Sequence, residues 1–313
     1  MKFFRIILLK CIFLSFSFLA ADEQIVNANG ISIWCETFGQ KDNPPLLLIM
    51  GGCCQGIMWP TEFCAQLSKQ GFYVIRYDHR DTGYSTCFDF EKSPYNLLDL
   101  TKDAVGLLDA LQVEKAHLCG LSMGGPIAEL MAAYYPERVR TITLIATSCD
   151  FRPMNLAYAG LPPEEGSLSR TKDVYLSWMK EFLARPANNQ EEAHEQRMSC
   201  WRILNGTVTP FEEDLYDELH RLFLSRSRYP EAIKNHILVC ANSEKFVKTV
   251  PQQVKVPTLI FHGTEDPILP SDHGAALARA ISGSKYLLID GMGHVPNCHF
   301  YELMIKEIKE FAN

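Results

Sequence analysis

The chain has 313 residues, 30 Lys+Arg against 37 Asp+Glu, a net charge of −7 and 47% hydrophobic residues. That length and apolar content support a large buried core, which excludes a disordered chain and points to one big α/β domain or a domain with a sizeable insertion. With charged residues at 21% and an acidic balance, the chain lacks the dense Lys/Arg surface that a phosphate backbone requires, so nucleic acid is not an expected partner.

The N-terminus opens with Lys2 and Arg5, continues as an apolar stretch from Ile6 to Leu19 interrupted by Lys10, and reaches Ala20-Ala21 before the polar Asp22-Glu23-Gln24. This is the layout of a secretory signal peptide. A lysine-containing stretch of about 15 residues is short for a membrane span, so no stable span is expected. Residues 1–21 are therefore expected to be removed on export to the periplasm or the exterior. The alternative is a cytoplasmic or N-terminally anchored chain. Cleavage would leave ten of the eleven cysteines, among which Cys53-Cys54 is the only close pair. That is not a zinc spacing, so no metal site is expected, and Cys119 inside an apolar run reads as a buried thiol.

From Gln24 to Phe38 apolar and polar residues alternate around Asn29-Gly30, which predicts an antiparallel entry hairpin. Pro45 to Met50 is a continuous apolar run ending in Gly51-Gly52, and Phe72 to Tyr77 is another ending in Asp78-His79-Arg80. Between them Thr61 to Gln70 has a helical pattern, with Thr61 as N-cap and Gly71 as stop. Leu97, Leu100, Ala104, Leu107, Leu108 and Leu111 recur at helical spacing. A short strand follows at Ala116–Gly120, then a helix at Ile127–Tyr135 and a strand at Thr141–Ala146. Strands resume at Thr258–His262 and Tyr286–Ile289, before a last helix from about Tyr301. Apolar runs buried on both faces and alternating with amphipathic helices predict a mostly parallel sheet covered on both sides.

One crossover helix needs about a dozen residues, and the segment between Ala146 and Thr258 is far longer. It carries helical patterns at Thr171–Ala184, Gln190–Leu204 and Glu212–Ser225, a loop at Leu161–Gly166 and several aromatics. Residues 148–255 are thus expected to form a helical cap over a core made of 22–147 and 256–313.

In such sheets ligands bind beyond the carboxyl ends of the strands. Gly120-Leu121-Ser122-Met123-Gly124 matches G-x-S-x-G between a strand and a helix, with Pro126 in the first helical turn. This is the context of a nucleophile elbow, in which small residues allow a sharp turn that exposes the Ser122 hydroxyl. A serine needs a base, and His294 in Asp290-Gly291-Met292-Gly293-His294 follows a strand on a glycine-rich loop. His79, His262, His273 and His299 also lie near strand ends and are kept as supporting candidates, whereas His194, His220 and His236 fall in the cap. Asp266, after the penultimate strand and before Pro267, gives the order Ser, Asp, His and is preferred over Glu265 and Asp150 as the carboxylate that orients the imidazole. The Met123 N–H and the Gly52 N–H are expected to form the oxyanion hole.

These features resemble the α/β-hydrolases over essentially the whole mature chain. Ile75-Arg76-Tyr77-Asp78-His79-Arg80-Asp81-Thr82-Gly83, Gly120-Leu121-Ser122-Met123-Gly124, Trp201-Arg202-Ile203-Leu204 and Asp266-Pro267-Ile268 are similar to the aclacinomycin methylesterase branch, which hydrolyses polyketide methyl esters. The resemblance implies the same triad, Ser122, Asp266 and His294, and the same oxyanion hole, Gly52 with Met123. It gives Asp78, Arg80 and Asp81 a structural turn without a catalytic role. Met50 stands where the wider family has a histidine, as in that branch, while Cys53-Cys54 and the apparent export signal depart from what an intracellular tailoring enzyme needs. The expected activity is cofactor-free hydrolysis of a small-molecule carboxylic ester through an acyl-enzyme. Perhydrolysis (haloperoxidase-like) or lyase chemistry on the same triad is the alternative, and a non-catalytic binding protein on this scaffold is the third reading.

Overall fold

The computed structural model describes residues 21–313, so all of the expected export signal except Ala21 lies outside the described residues. The alternating N-terminal segment forms β1 (Asp22–Ala28) and β2 (Ile31–Phe38), paired antiparallel with Ala28 opposite Ile31. Asn29 and Gly30 both take left-handed φ, +52° and +77°, which suits the tight turn between twisted strands. Then come β3 (Pro45–Ile49), α1 (Thr61–Lys69), β4 (Tyr73–Tyr77), α2 (Leu97–Ala110), β5 (Ala116–Leu121), α3 (Gly124–Tyr134) and β6 (Val139–Ile145). Six helices follow: α4 (Arg152–Tyr158), α5 (Asp173–Ala184), α6 (Gln190–Asn205), α7 (Glu213–Arg226), α8 (Asn235–Ala241) and α9 (Glu244–Thr249). The chain closes with β7 (Thr258–Gly263), α10 (Asp272–Ala280), β8 (Lys285–Ile289) and α11 (Cys298–Ala312).

The eight strands form one sheet in the order β1-β2-β4-β3-β5-β6-β7-β8, parallel except at β1/β2 and β2/β4. This is the mostly parallel sheet that the alternating elements predict, in the α/β-hydrolase architecture that the resemblance implies. Period two is visible within β3. Leu47 and Ile49 pack in the cluster that includes Leu107, Leu108 and Ile127 of α2 and α3. Leu46 and Leu48 face the opposite cluster, with Phe63 and Leu67 of α1 and Met304 and Ile308 of α11. After β3 the chain adds β4 on one side and returns to place β5 on the other. The carboxyl ends of β3 and β5 therefore flank a topological switch point, the position at which open α/β sheets bind ligands.

β6 and β7 are hydrogen-bonded neighbours, with Ile142 opposite Thr258, so the helices α4–α9 are looped out between adjacent strands. Among the described residues no helix is long and apolar enough to cross a membrane. The expected cap of α1 is displaced by one residue: Pro60 occupies the N-cap and Thr61 opens the helix, its Oγ1 accepting from the Arg76 guanidinium at 3.1 Å. α2 instead has a full capping box, with Asn96 Oδ1 accepting from the Leu98 N–H and Asp99 Oδ2 from the Asn96 N–H.

Charged groups of the turn after β4 join cap to core. Asp78 accepts from the Gly56 and Tyr84 N–H groups and from Arg226 of α7 at 2.8 Å, while Asp81 accepts from the Tyr95 hydroxyl and from Asn235 of α8. Arg80 is held by Asp103. All three thus have structural partners.

Glu129 of α3 is fully buried and neither carboxylate oxygen has a hydrogen-bond partner among the described residues. Burial pushes its carboxyl up to about 8, so the folded chain keeps a proton that the unfolded chain releases above about 4.3. Its cost to stability is absent at low pH and grows as pH rises toward 8. Glu129→Met should raise the free energy of unfolding in urea, with a gain at pH 8 that exceeds the gain at pH 5 by roughly 2–4 kcal/mol; equal gains at both pH values would contradict this reading.

Candidate active site

Between β5 and α3 the backbone reverses within two residues, and Ser122 takes φ +52°, a left-handed conformation rare for a side-chain-bearing residue. The flanking glycines are required by close approach. A Cβ on Gly120 would lie 2.3 Å from the Gly124 carbonyl oxygen, and one on Gly124 would lie 2.2 Å from that of Ile49. The turn is pinned from β6: the Ser122 N–H donates to the Ile145 carbonyl at 3.0 Å, and the Ser122 carbonyl accepts from the Thr147 hydroxyl at 2.8 Å. Thr147 could not be found from spacing alone, because it acts across neighbouring strands.

The end of β3 lies beside this turn. A Cβ on Gly51 would lie 3.3 Å from Ser122 Cβ, and one on Gly52 would lie 3.3 Å from Met123 Sδ. Among the described residues neither the Gly52 nor the Met123 N–H has a hydrogen-bond acceptor. The structure therefore gathers Ser122, Gly52 and Met123 at the switch point, with two backbone donors left over.

On the other side, His294 Nδ1 is 2.8 Å from Asp266 Oδ2. Asp266 is fully buried, and its other oxygen accepts from the Ile268 and Leu269 N–H groups, both at 2.9 Å. His262 Nε2 lies 3.5 Å from Oδ2 and donates to the Leu269 carbonyl. Burial alone would raise the Asp266 carboxyl. The His294 imidazole, His262 and the Leu269 N–H outweigh it, and the group sits below the ordinary carboxylate range. An ionised Asp266 requires Nδ1 of His294 to carry a hydrogen, which leaves Nε2 of the neutral ring as the basic nitrogen. The two competing carboxylates are engaged elsewhere: Glu265 accepts from the Thr207 hydroxyl, and Asp150 is held by Arg152.

The His294 loop rests on the cap. The His294 N–H donates to the Leu204 carbonyl at 2.8 Å, and a Cβ on Gly293 would lie 2.1 Å from that same oxygen. Asn297 Nδ2 donates to Asn205 Oδ1 at 2.8 Å and to Thr209 Oγ1 at 2.9 Å, all within buried surroundings. Asn205 and Asn297 are a clamp that no sequence pattern announced. Met50, Leu121, Trp201, Tyr216, Val295 and Tyr301 line one small cavity, so the chain beside Gly51, Ser122 and His294 converges on a common apolar space. No hydrogen bond of the described residues joins Ser122 to His294. Cys119 is buried with its thiol free, and all ten described cysteines are free thiols. Among the described residues no group of three or more His, Cys, Asp or Glu is placed to hold a metal ion.

Residues 44–298 match the family of the alpha/beta hydrolase fold, and the chain belongs to that family. Within it, the chain is 34% identical over 276 residues to the rhodomycin D methylesterase of Streptomyces sp. strain C5, covering 87% of this chain and 91% of the relative. The rhodomycin D methylesterase of Streptomyces peucetius is likewise 34% identical over 276 residues, 87% of this chain and 91% of that relative. Among solved structures, the 2-hydroxy-6-oxo-6-phenylhexa-2,4-dienoate hydrolase from Rhodococcus sp. strain RHA1 superposes with a TM-score of 0.74 at 16% identity, covering 94% of this chain and 99% of that one, which shows the shared fold.

Because a methyl group at Gly124 has no space to occupy, Gly124→Ala should lower the free energy of unfolding by about 1–3 kcal/mol in denaturant titration. Gly52→Ala, whose Cβ would lie 3.3 Å from Sδ of the flexible Met123 side chain and 3.8 Å from His236 Cβ, an ordinary contact, should stay within about 1 kcal/mol of the parent; equal losses in the two variants would contradict the packing argument.

Proposed function

We propose that the chain is a serine ester hydrolase that uses Ser122, His294 and Asp266 as a catalytic triad and the Gly52 and Met123 N–H groups as its oxyanion hole. The observation that carries the reading is the 2.8 Å contact between His294 Nδ1 and the buried Asp266 carboxylate: an ionised Asp266 accepts from Nδ1–H, so Nε2 is the nitrogen able to take a proton. Ser122 Oγ attacks the ester carbonyl carbon while its proton passes to Nε2. The tetrahedral oxyanion is met by the two free backbone donors at the switch point. When the intermediate collapses, the ester C–O bond breaks and the leaving alkoxide takes the proton from Nε2. A water, activated by the same nitrogen, then attacks the acyl-enzyme and releases the acid and free Ser122.

The substrate reading rests on the relatives and on the aromatic composition of the segment between β6 and β7. The relatives at 34% identity are named methylesterases, which supports a small-alkyl ester whose leaving group is methanol or a similar alcohol. The aromatics of the segment between β6 and β7, among them Tyr158, Tyr175 and Trp178, favour an apolar or aromatic acyl part.

On p-nitrophenyl esters of increasing acyl length the chain from Asp22 should show turnover with a chain-length optimum. Ser122→Ala and His294→Ala should lose at least about 10³-fold in kcat, and Asp266→Asn about 10⁴-fold through the wrong imidazole tautomer. Equal turnover by the parent and Ser122→Ala would overturn the mechanism. We read residues 1–21 as an export signal. N-terminal sequencing of the exported protein should start near Asp22, and an unprocessed Met1 in the soluble fraction would contradict that.

A further inference from the structure

The Gly52 N–H belongs to the peptide plane between Gly51 and Gly52, the two residues of the turn with the greatest backbone freedom. Both neighbouring planes are pinned. The plane before it carries the Met50 carbonyl, which accepts from His79 Nε2 at 2.9 Å. The plane after it carries the Cys53 N–H, which donates to His236 Nδ1 at 3.0 Å. His236 comes from α8 in the cap, 183 residues along the chain. A backbone N–H can only donate, so His236 Nδ1 is bare and its Nε2 carries the hydrogen, which it gives to the Arg80 carbonyl at 2.9 Å.

The arrangement admits one protonation state of His236. A hydrogen on Nδ1 would face the Cys53 N–H, and the Arg80 carbonyl would lose its donor if Nε2 gave one up. Both rings are buried, and they meet edge to face with centroids 5.8 Å apart. Burial, reinforced for His236 by the Arg80 charge, pulls it down to about 4, so it is neutral through the working range. Cys53 itself takes φ +59°, which a cysteine does not adopt without support. Its thiol donates to the Ile233 carbonyl at 3.3 Å, a second tie from the cap to the same residue.

We infer that His236 is a positioning residue for the oxyanion hole, its bare Nδ1 holding the Cys53 amide so that the Gly52 N–H points at the developing charge on the substrate. The inference rests on the proposed ester-hydrolase reading and deepens it: the cap reaches the chemistry through this imidazole, and the oxyanion hole is complete only while α8 sits against the turn. His79 supplies the matching tie from the core side.

The amide group of asparagine places an oxygen where Nδ1 stands, and that of glutamine places a nitrogen where Nε2 stands, so the two ring functions can be separated. His236→Asn, His236→Gln and His236→Ala are compared with the parent by the second-order rate at which a fluorophosphonate labels Ser122, whose adduct oxygen occupies the oxyanion hole, and by kcat and KM on a p-nitrophenyl ester. His236→Gln and His236→Ala should lose about tenfold or more in labelling rate and in kcat, with KM little changed. His236→Asn should remain within about threefold of the parent. Parent rates in His236→Gln, or the same loss in His236→Asn and His236→Gln, would overturn the inference. A parent chain that neither labels nor turns over would instead defeat the ester-hydrolase reading. The folded parent offers a test without substitution: ¹⁵N chemical shifts should show His236 with a bare Nδ1 and a hydrogen on Nε2, and the opposite tautomer or a charged ring at pH 7 would overturn the inference.

Discussion

The close approach of the end of β3, the turn between β5 and α3 and the end of β6 constrains everything else in the molecule. Ser122 is left-handed because the strand must turn into α3 before it meets Ile49, and the turn fits only because Gly120 and Gly124 lack side chains. A left-handed non-glycine residue costs about 1–2 kcal/mol. That cost is small beside the burial of two sheet faces, since several Leu and Ile side chains each contribute roughly 1.5–3 kcal/mol. The sheet can therefore sustain local strain at its carboxyl edge, where Cys53, Ser122 and Ala146 are all left-handed and the Gly52 and Met123 N–H groups have no acceptor among the described residues.

The cap is bound to that point by polar contacts rather than by a continuation of the apolar core alone. Arg226 pairs with Asp78, Asn235 with Asp81, His236 with the Cys53 amide, and Asn205 with Asn297. Each contact is buried or partly buried and directional. A displaced cap would leave Asp78 without its cation and Cys53 without its acceptor, and leaving one such group unmatched costs more than the pair contributes. The result is selection of one cap position, in which the His294 loop is held from one side and the Gly51–Cys53 turn from the other.

What could be read from the chain is what local pattern encodes. G-x-S-x-G marks a collision-limited turn within five residues, and apolar runs mark buried strands, so Ser122, the sheet and the helices α5–α7 were legible. Asp266 was one of three carboxylates near strand ends, and in the structure it contacts His294 Nδ1 while Glu265 and Asp150 have other partners. The contacts that position the site were not legible. His236 and Cys53 are 183 residues apart, Arg226 and Asp78 148, and Asn297 and Asn205 92. A contact of that span leaves no period in the sequence, and a lone histidine in a short helix such as α8 reads as packing. The helices α4, α8 and α9 are too short to show a convincing amphipathic repeat, which is why their segments carried no helical expectation.

The central claim is that carboxyl-ester cleavage passes through a covalent acyl group on Ser122. Rapid acid quench of the parent chain with a slowly deacylating p-nitrophenyl ester, followed by proteolysis and mass spectrometry, tests this most directly. The account requires one acyl increment on the peptide that contains Ser122, appearing with a burst of p-nitrophenol and absent in Ser122→Ala. An acyl group on any other residue, or release of p-nitrophenol with no adduct while deacylation is demonstrably slow, would contradict it.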